Sequence, residues 1–151
     1  MKLYHTSPNE ITKIEKYGFF DDMLFFSEEP YEMSAKETIL YSIEIQEESI
    51  LDISKLFYDH EAKEIKEILG HVMNVLDIDE ETASNLLDDS TSSYDIEIDM
   101  EPGEAGWFIQ TQQGHIARHL GYMAASGQDE QGTVYIVPMY GKESLLINEL
   151  I

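Results

Sequence analysis

A chain of 151 residues is long enough to bury a substantial core, and 42% apolar with 11% aromatic residues supply it, which excludes a disordered tail. Nine Lys and Arg against 31 Asp and Glu leave a net charge of −22, which excludes broad phosphate-backbone binding and leaves a basic protein partner or a DNA-like decoy role open. Without cysteine there are no disulfides, thiolate metal sites or cysteine nucleophiles; without a signal-peptide core or an apolar run near the roughly 20 residues of a membrane span, the expectation is a cytoplasmic protein.

The first predicted element is a short strand at Leu3, Tyr4 and His5, ending at the polar break Thr6-Ser7-Pro8. Ile11, Ile14 and Tyr17 recur between Asn9 and Gly18 and predict a short amphipathic helix. Met23 to Phe26 read as a second strand, Pro30 to Lys36 as one or two helical turns, and the alternation of Ile39, Tyr41, Ile43 and Ile45 as a half-buried strand. From Asp59 to Leu76 the positions Ala62, Ile65, Ile68, Leu69, Val72 and Leu76 form one helical stripe. Asp79 can cap a further helix carrying Ala83, Leu86 and Leu87, and an acidic, Ser-rich connector follows from Asp88 to Pro102. Trp107 to Leu120 predict a last helix ending at Gly121, with Gly114 costly in its interior. A strand at Tyr122 to Ala125, a polar turn at Gly127 to Gly132 and a strand at Thr133 to Val137 complete the pattern. Strands near both ends with helices between them imply an α+β domain whose sheet brings the ends together, and place His5 near the turn at Asp129.

Several residue sets could carry chemistry. The turn Gln128-Asp129-Glu130-Gln131 holds two carboxylates and two amides ahead of a strand; a carboxylate held there could stabilise a cationic ribosyl transition state, or the segment could be a solvated hairpin turn. His5, Thr6 and Ser7 suit hydrogen bonding to the ribose or amide of a nucleotide, against the plain reading of a Thr-Ser-Pro turn. Phe25, Phe26 and Ser27 could meet a planar ring, or the two Phe could be core. Glu61 and His71 are too far apart for a helical ligand pair, and His115 and His119 lack the glutamate of a zinc helix, so no metal site is expected. Neither a Gly-x-Gly-x-x-Gly run nor a Lys-bearing P-loop occurs, so any nucleotide pocket is of another kind.

In order along the chain, His5-Thr6-Ser7-Pro8, Glu10-Ile11-Thr12, Phe57-Tyr58, Leu120-Gly121-Tyr122 and Asp129-Glu130-Gln131-Gly132-Thr133 resemble the anti-CRISPR ADP-ribosyltransferase family that acts against type I-F systems. The resemblance runs over nearly the whole chain. It implies one ADP-ribosyltransferase-like domain over residues 1–151, with a split mixed sheet forming an NAD cleft and a helical insertion. It casts Asp129, ahead of Glu130, as the acid, with His5 as a further catalytic group; His5, Thr6, Ser7, Phe26, Ser27 and Gln131 would meet NAD as co-substrate. It implies as target the large subunit of the type I-F surveillance complex, which recognises the protospacer-adjacent motif (PAM), with loss of target DNA binding and no direct contact to nucleic acid or membrane. Two rivals remain: a non-enzymatic acidic DNA mimic, and an ADP-ribosyltransferase with another protein target. On charge alone, the acidic stretch at 77–104 is the segment expected to meet the target.

Overall fold

The computed structural model describes residues 1–30, 38–129 and 132–149. Among the described residues, seven strands fall into two sheets. The first has the order β1-β3-β7, from β1 (Lys2–Ser7), β3 (Ile39–Glu44) and β7 (Ile147–Asn148), with both pairings antiparallel. The second has the order β2-β6-β5-β4, from β2 (Phe19–Phe26), β6 (Gly132–Pro138), β5 (Ala124–Asp129) and β4 (Ile50–Asp52); β4 runs parallel to β5 and the other pairings are antiparallel. The fold is therefore mixed helix and sheet, consistent with the α+β expectation from the sequence.

The two sheets meet where β1 leaves β2. Tyr4 and Ser27 exchange backbone hydrogen bonds of 2.8 and 2.9 Å, after which the strands diverge. On the far side of β3, β7 returns beside the opening of the chain, and an ion pair of 2.8 Å between Lys2 and Glu149 ties the two together. The predicted end strands do not share a sheet: Leu3 to His5 belong to β1 and Thr133 to Val137 to β6 of the second sheet, so it is β7 that brings the late part of the chain to β1's sheet, and His5 and Asp129 are not neighbours.

Helices cover the other face of the second sheet: α1 (Leu56–Asp59), α2 (Lys66–Leu76), α3 (Glu80–Leu87) and α4 (Pro102–His119). Strand alternation divides the core accordingly. Met23, Ala125 and Ile136 point toward the helices and pack with Leu69, Val72, Leu86 and Ile116. Phe26, Ala124, Tyr135 and Val137 point toward the first sheet and pack with Leu3 and Ile43. No helix among the described residues is long and apolar enough to cross a membrane.

Four further sequence expectations are corrected. The segment from Asn9 to Gly18 is not a helix, because its N–H groups are claimed from far away: Ile11 N donates to Tyr41 Oη at 2.8 Å and Ile14 N to Glu143 Oε1 at 2.9 Å. The predicted helix from Asp59 to Leu76 is interrupted at His60 and Glu61, where Glu61 and Glu64 form a reciprocal cap that starts a new turn. The last helix begins at Pro102 rather than Trp107, because Pro is suited to the first helical position and Glu101 caps it. Strand β5 starts at Ala124 and runs to Asp129, so most of the predicted turn at 127–132 is paired β-structure. The helical turns expected at Pro30 to Lys36 lie largely outside the described residues. The cap at Asp79 is as expected, accepting from Thr82 N at 2.8 Å.

Candidate active site

The first half of the site lies at the split between the sheets. His5 Nδ1 is 2.8 Å from the Phe25 carbonyl, and since a carbonyl only accepts, Nδ1 carries the proton and Nε2 the lone pair. Burial holds the His5 pKa below its ordinary value, against the opposing pull of that carbonyl, so the imidazole is neutral at pH 7 and Nε2 can accept from a hydroxyl or amide. Thr6 is the next residue of β1 and is half-buried; Ser27 faces Tyr4 across the bridge and donates through Oγ to the Glu29 carbonyl at 2.6 Å. Glu28 reaches back over β6 to accept from Tyr135 Oη at 2.5 Å, and burial together with that carboxylate pushes the Tyr135 phenol up to about 12.

The second half is the end of the β5–β6 hairpin, where Asp129 pairs with Gly132. Alternation along β5 sets Ala125, Gly127 and Asp129 on the helix face, and Ser126 and Gln128 on the face shared with the first sheet. The Gln128 side chain fits that assignment, donating to Thr133 Oγ1 at 3.0 Å. Asp129 is exposed and stands beside a cavity of about 720 Å³ on the helix face. His5 lies level with the rung Phe26, Tyr135 and Ser126; Asp129 is three residues farther along β5, about 10 Å, and two strands across.

Asp89 braces this end of β5. Its backbone is left-handed, with φ of 62°, which turns the chain after α3 back onto the strand. One carboxylate oxygen accepts from Gln113 Nε2 at 2.9 Å and the other from the Gln128 backbone N–H at 3.0 Å. Gly127 lets the carboxylate sit close to the strand, since a Cβ there would stand 3.0 Å from Asp89 Oδ2 and press on it. The residue as a whole is open to solvent, but its carboxyl end is crowded by β5, and this desolvation, with the charges of Asp88 and Asp129, raises its pKa.

The family model described as "Anti-CRISPR Type I-F ADP-ribosyltransferase AcrIF11" matches residues 1–142. The chain belongs to this family. A solved structure described as "Crystal structure of an anti-CRISPR protein" is 26% identical, with a TM-score of 0.58 over 91% of this chain and 88% of the other. No curated protein matches. Membership in the AcrIF11 family makes the chain an NAD-dependent ADP-ribosyltransferase of the anti-CRISPR type I-F kind.

Within that family frame the expected site residues differ in what they offer. His5, beside the Phe26 ring, and Ser27, across from Tyr4, stand at the split; alternation along β1 turns Thr6 to the opposite face from His5, and Asp129 is at the hairpin end. Ser7 is 6% exposed and its hydroxyl donates to the Asn9 carbonyl at 2.5 Å, which commits it to the turn after β1. Phe26 is 2% exposed; its ring belongs to the core between the sheets, 5.5 Å from the His5 ring. Glu130 and Gln131 lie outside the described residues. Sequence reading missed Asp89, Glu28 and Tyr135, whose partners are 39 and 107 residues away and leave no local signal. His115, weighed earlier as a metal ligand, is engaged by Asp21 at 2.6 Å and Arg118 at 2.8 Å, and no cluster of three potential ligands occurs among the described residues.

Proposed function

We propose that this chain transfers ADP-ribose from NAD to the PAM-recognising large subunit of the type I-F surveillance complex, blocking target DNA binding, with Asp129 as the essential acid. The observation that carries this reading is the position of Asp129, held by paired β-structure and by Asp89 at the exposed end of the hairpin. A carboxylate fixed there favours the oxocarbenium-like ribosyl centre as the glycosidic bond to nicotinamide breaks and its electron pair stays on the departing ring nitrogen. An acceptor nucleophile of the target then bonds the same carbon and gives up its proton. At the split, the residues suit the sugar of a dinucleotide: His5 Nε2 can accept from a ribose hydroxyl, and Ser27 Oγ, which donates to the Glu29 carbonyl, can accept from another. Chain and substrate would meet in the bacterial cytoplasm.

The test is nicotinamide release from NAD in the presence of the purified surveillance complex. Asp129→Ala is expected to lower kcat by about 100-fold or more while the fold is retained, and His5→Ala to raise the KM for NAD. Wild-type rates in Asp129→Ala would remove Asp129 from the chemistry and favour inhibition by acidic occupancy.

A further inference from the structure

We propose that the cavity on the helix face beside Asp129 is the docking site for a Lys- or Arg-bearing loop of the target protein. This rests on the transferase reading and adds where the acceptor approaches. The cavity, of about 720 Å³, is roomy enough for one long side chain and its flanking backbone. Tyr94, 61% exposed, and Trp107, 50% exposed, supply two aromatic faces to it. Between them Gly103 and Gly106 present bare backbone on α4.

Its charge selects the occupant. Among the described residues that line it, Asp89 and Asp129 are the charged ones, and none is Lys, Arg or His. The adjoining N-terminus of α4, which could otherwise receive a phosphate, is already capped: Glu101 accepts from Gly103 N and Glu104 N at 3.0 Å each. A pyrophosphate placed here would meet the carboxylates of Asp89 and Asp129, with neutral hydroxyl, amide and indole donors but no cation to offset them. A cation would find two carboxylates and two aromatic rings, the combination that binds ammonium and guanidinium groups. That chemistry separates this cavity from the split, where neutral His5 and the Ser27 hydroxyl suit a sugar.

The faces of β5 agree with this division. Asp129 and most of the cavity wall lie on the helix face, with Gln128 reaching the cavity at the strand edge, while Phe26, Tyr135 and the His5 split lie on the face toward the first sheet. NAD and the acceptor would then reach the acid from opposite sides of the hairpin, which suits a nucleophile entering across the ribosyl carbon from the leaving group. Part of the cavity wall, including Ser92 and Tyr94, comes from the acidic connector, and the net charge of −22 steers a basic surface toward it.

The experiment measures affinity for the purified type I-F surveillance complex without NAD, then the KM for the complex and for NAD. Gln110→Lys places a cation in the cavity at a half-buried helix position where Lys and Gln are equally good helix formers. Trp107→Ala removes one aromatic face. Both are expected to weaken binding to the complex and raise its KM by about tenfold or more, with the KM for NAD unchanged. Unchanged affinity of Gln110→Lys for the complex would overturn the proposal, and so would a parallel rise in the KM for NAD, which would assign the cavity to the dinucleotide. Failure of the transferase reading is seen separately, as absence of nicotinamide release by the wild-type protein.

Discussion

Gly114 and Gly70 both sit inside helices, so replacing either by Ala relieves a helix penalty of about 1 kcal/mol. Their surroundings make the outcomes opposite. At Gly70, on the exposed side of α2, a new Cβ meets nothing within 4 Å, and Gly70→Ala is expected to stabilise by about 1 kcal/mol. At Gly114 the Cβ would stand 2.3 Å from Met23 Sδ and 2.9 Å from Ile136 Cγ2. Met23 is 3% exposed and Ile136 fully buried, so neither can withdraw without moving β2 or β6. Overpacking of this kind costs about 1–3 kcal/mol, which leaves Gly114→Ala destabilising by roughly 1 kcal/mol after the helix gain. In a chain of this length each kcal/mol moves Tm by about 2–4 °C, so the two variants should melt on opposite sides of the wild type. Thermal unfolding by circular dichroism reads both. Equal increases in Tm would refute the close seating of α4 on β2 and β6, and with it the placement of the cavity beside Asp129.

Three further predictions follow from charge. Asp22 is buried; burial pushes its pKa up, but Arg118 and the Tyr140 N–H outweigh this and hold it below the ordinary 3.8, so its contribution is present at neutral pH and lost as acid passes through the lowered value. Arg118→Ala is expected to cost about 1–3 kcal/mol at pH 7, discounted for the partial exposure of the guanidinium, with the gap to wild type narrowing in urea melts at pH 3; a gap independent of pH would contradict the pairing. His5 has a folded pKa below the ordinary 6.5, so stability should fall as pH drops below about 6.5, NAD turnover should fall only at lower pH as the depressed value is passed, and His5→Gln should flatten the stability slope; an identical slope in the variant would show that another group titrates. Salt should act in opposite directions on the two substrates: with a net charge of −22, screening weakens attraction to a basic target and raises its KM, but relieves repulsion of anionic NAD and lowers the other KM. Parallel changes in steady-state kinetics between about 50 and 300 mM salt would contradict the separation of the two sites.

Period and turn chemistry made much of the fold legible. Ile39, Tyr41 and Ile43 mark a strand as their alternation suggests, although it is not half-buried, since Ser42 between them is 0% exposed, and Asp79 caps its helix through Thr82 as its position suggests. Other features are tertiary. Ile11, Ile14 and Tyr17 carry a helical spacing, yet Tyr41 and Glu143 take their neighbourhood's N–H groups, and Tyr17 stays 82% exposed. Pro102, Gly103 and Gly106 disguised the first turns of α4 as connector, although Glu101 and Pro102 form a helix start. For the site, His5 and Asp129 stand in local motifs that a reader of the sequence can find. Which face Asp129 occupies cannot be read there, because it depends on β5 running on to residue 129 and on Asp89 reaching back to Gln128. The same dependence hides the cavity, whose walls come from α4 and the acidic connector, brought together only by folding.

Intact mass of the purified type I-F surveillance complex, after incubation with this protein and NAD beside an Asp129→Ala control, tests the central claim most directly. The large subunit is expected to gain one ADP-ribose unit with wild-type protein and none with the variant. No mass gain, with target DNA binding still blocked in the absence of NAD, would contradict it and leave occupancy by the acidic surface as the mode of inhibition.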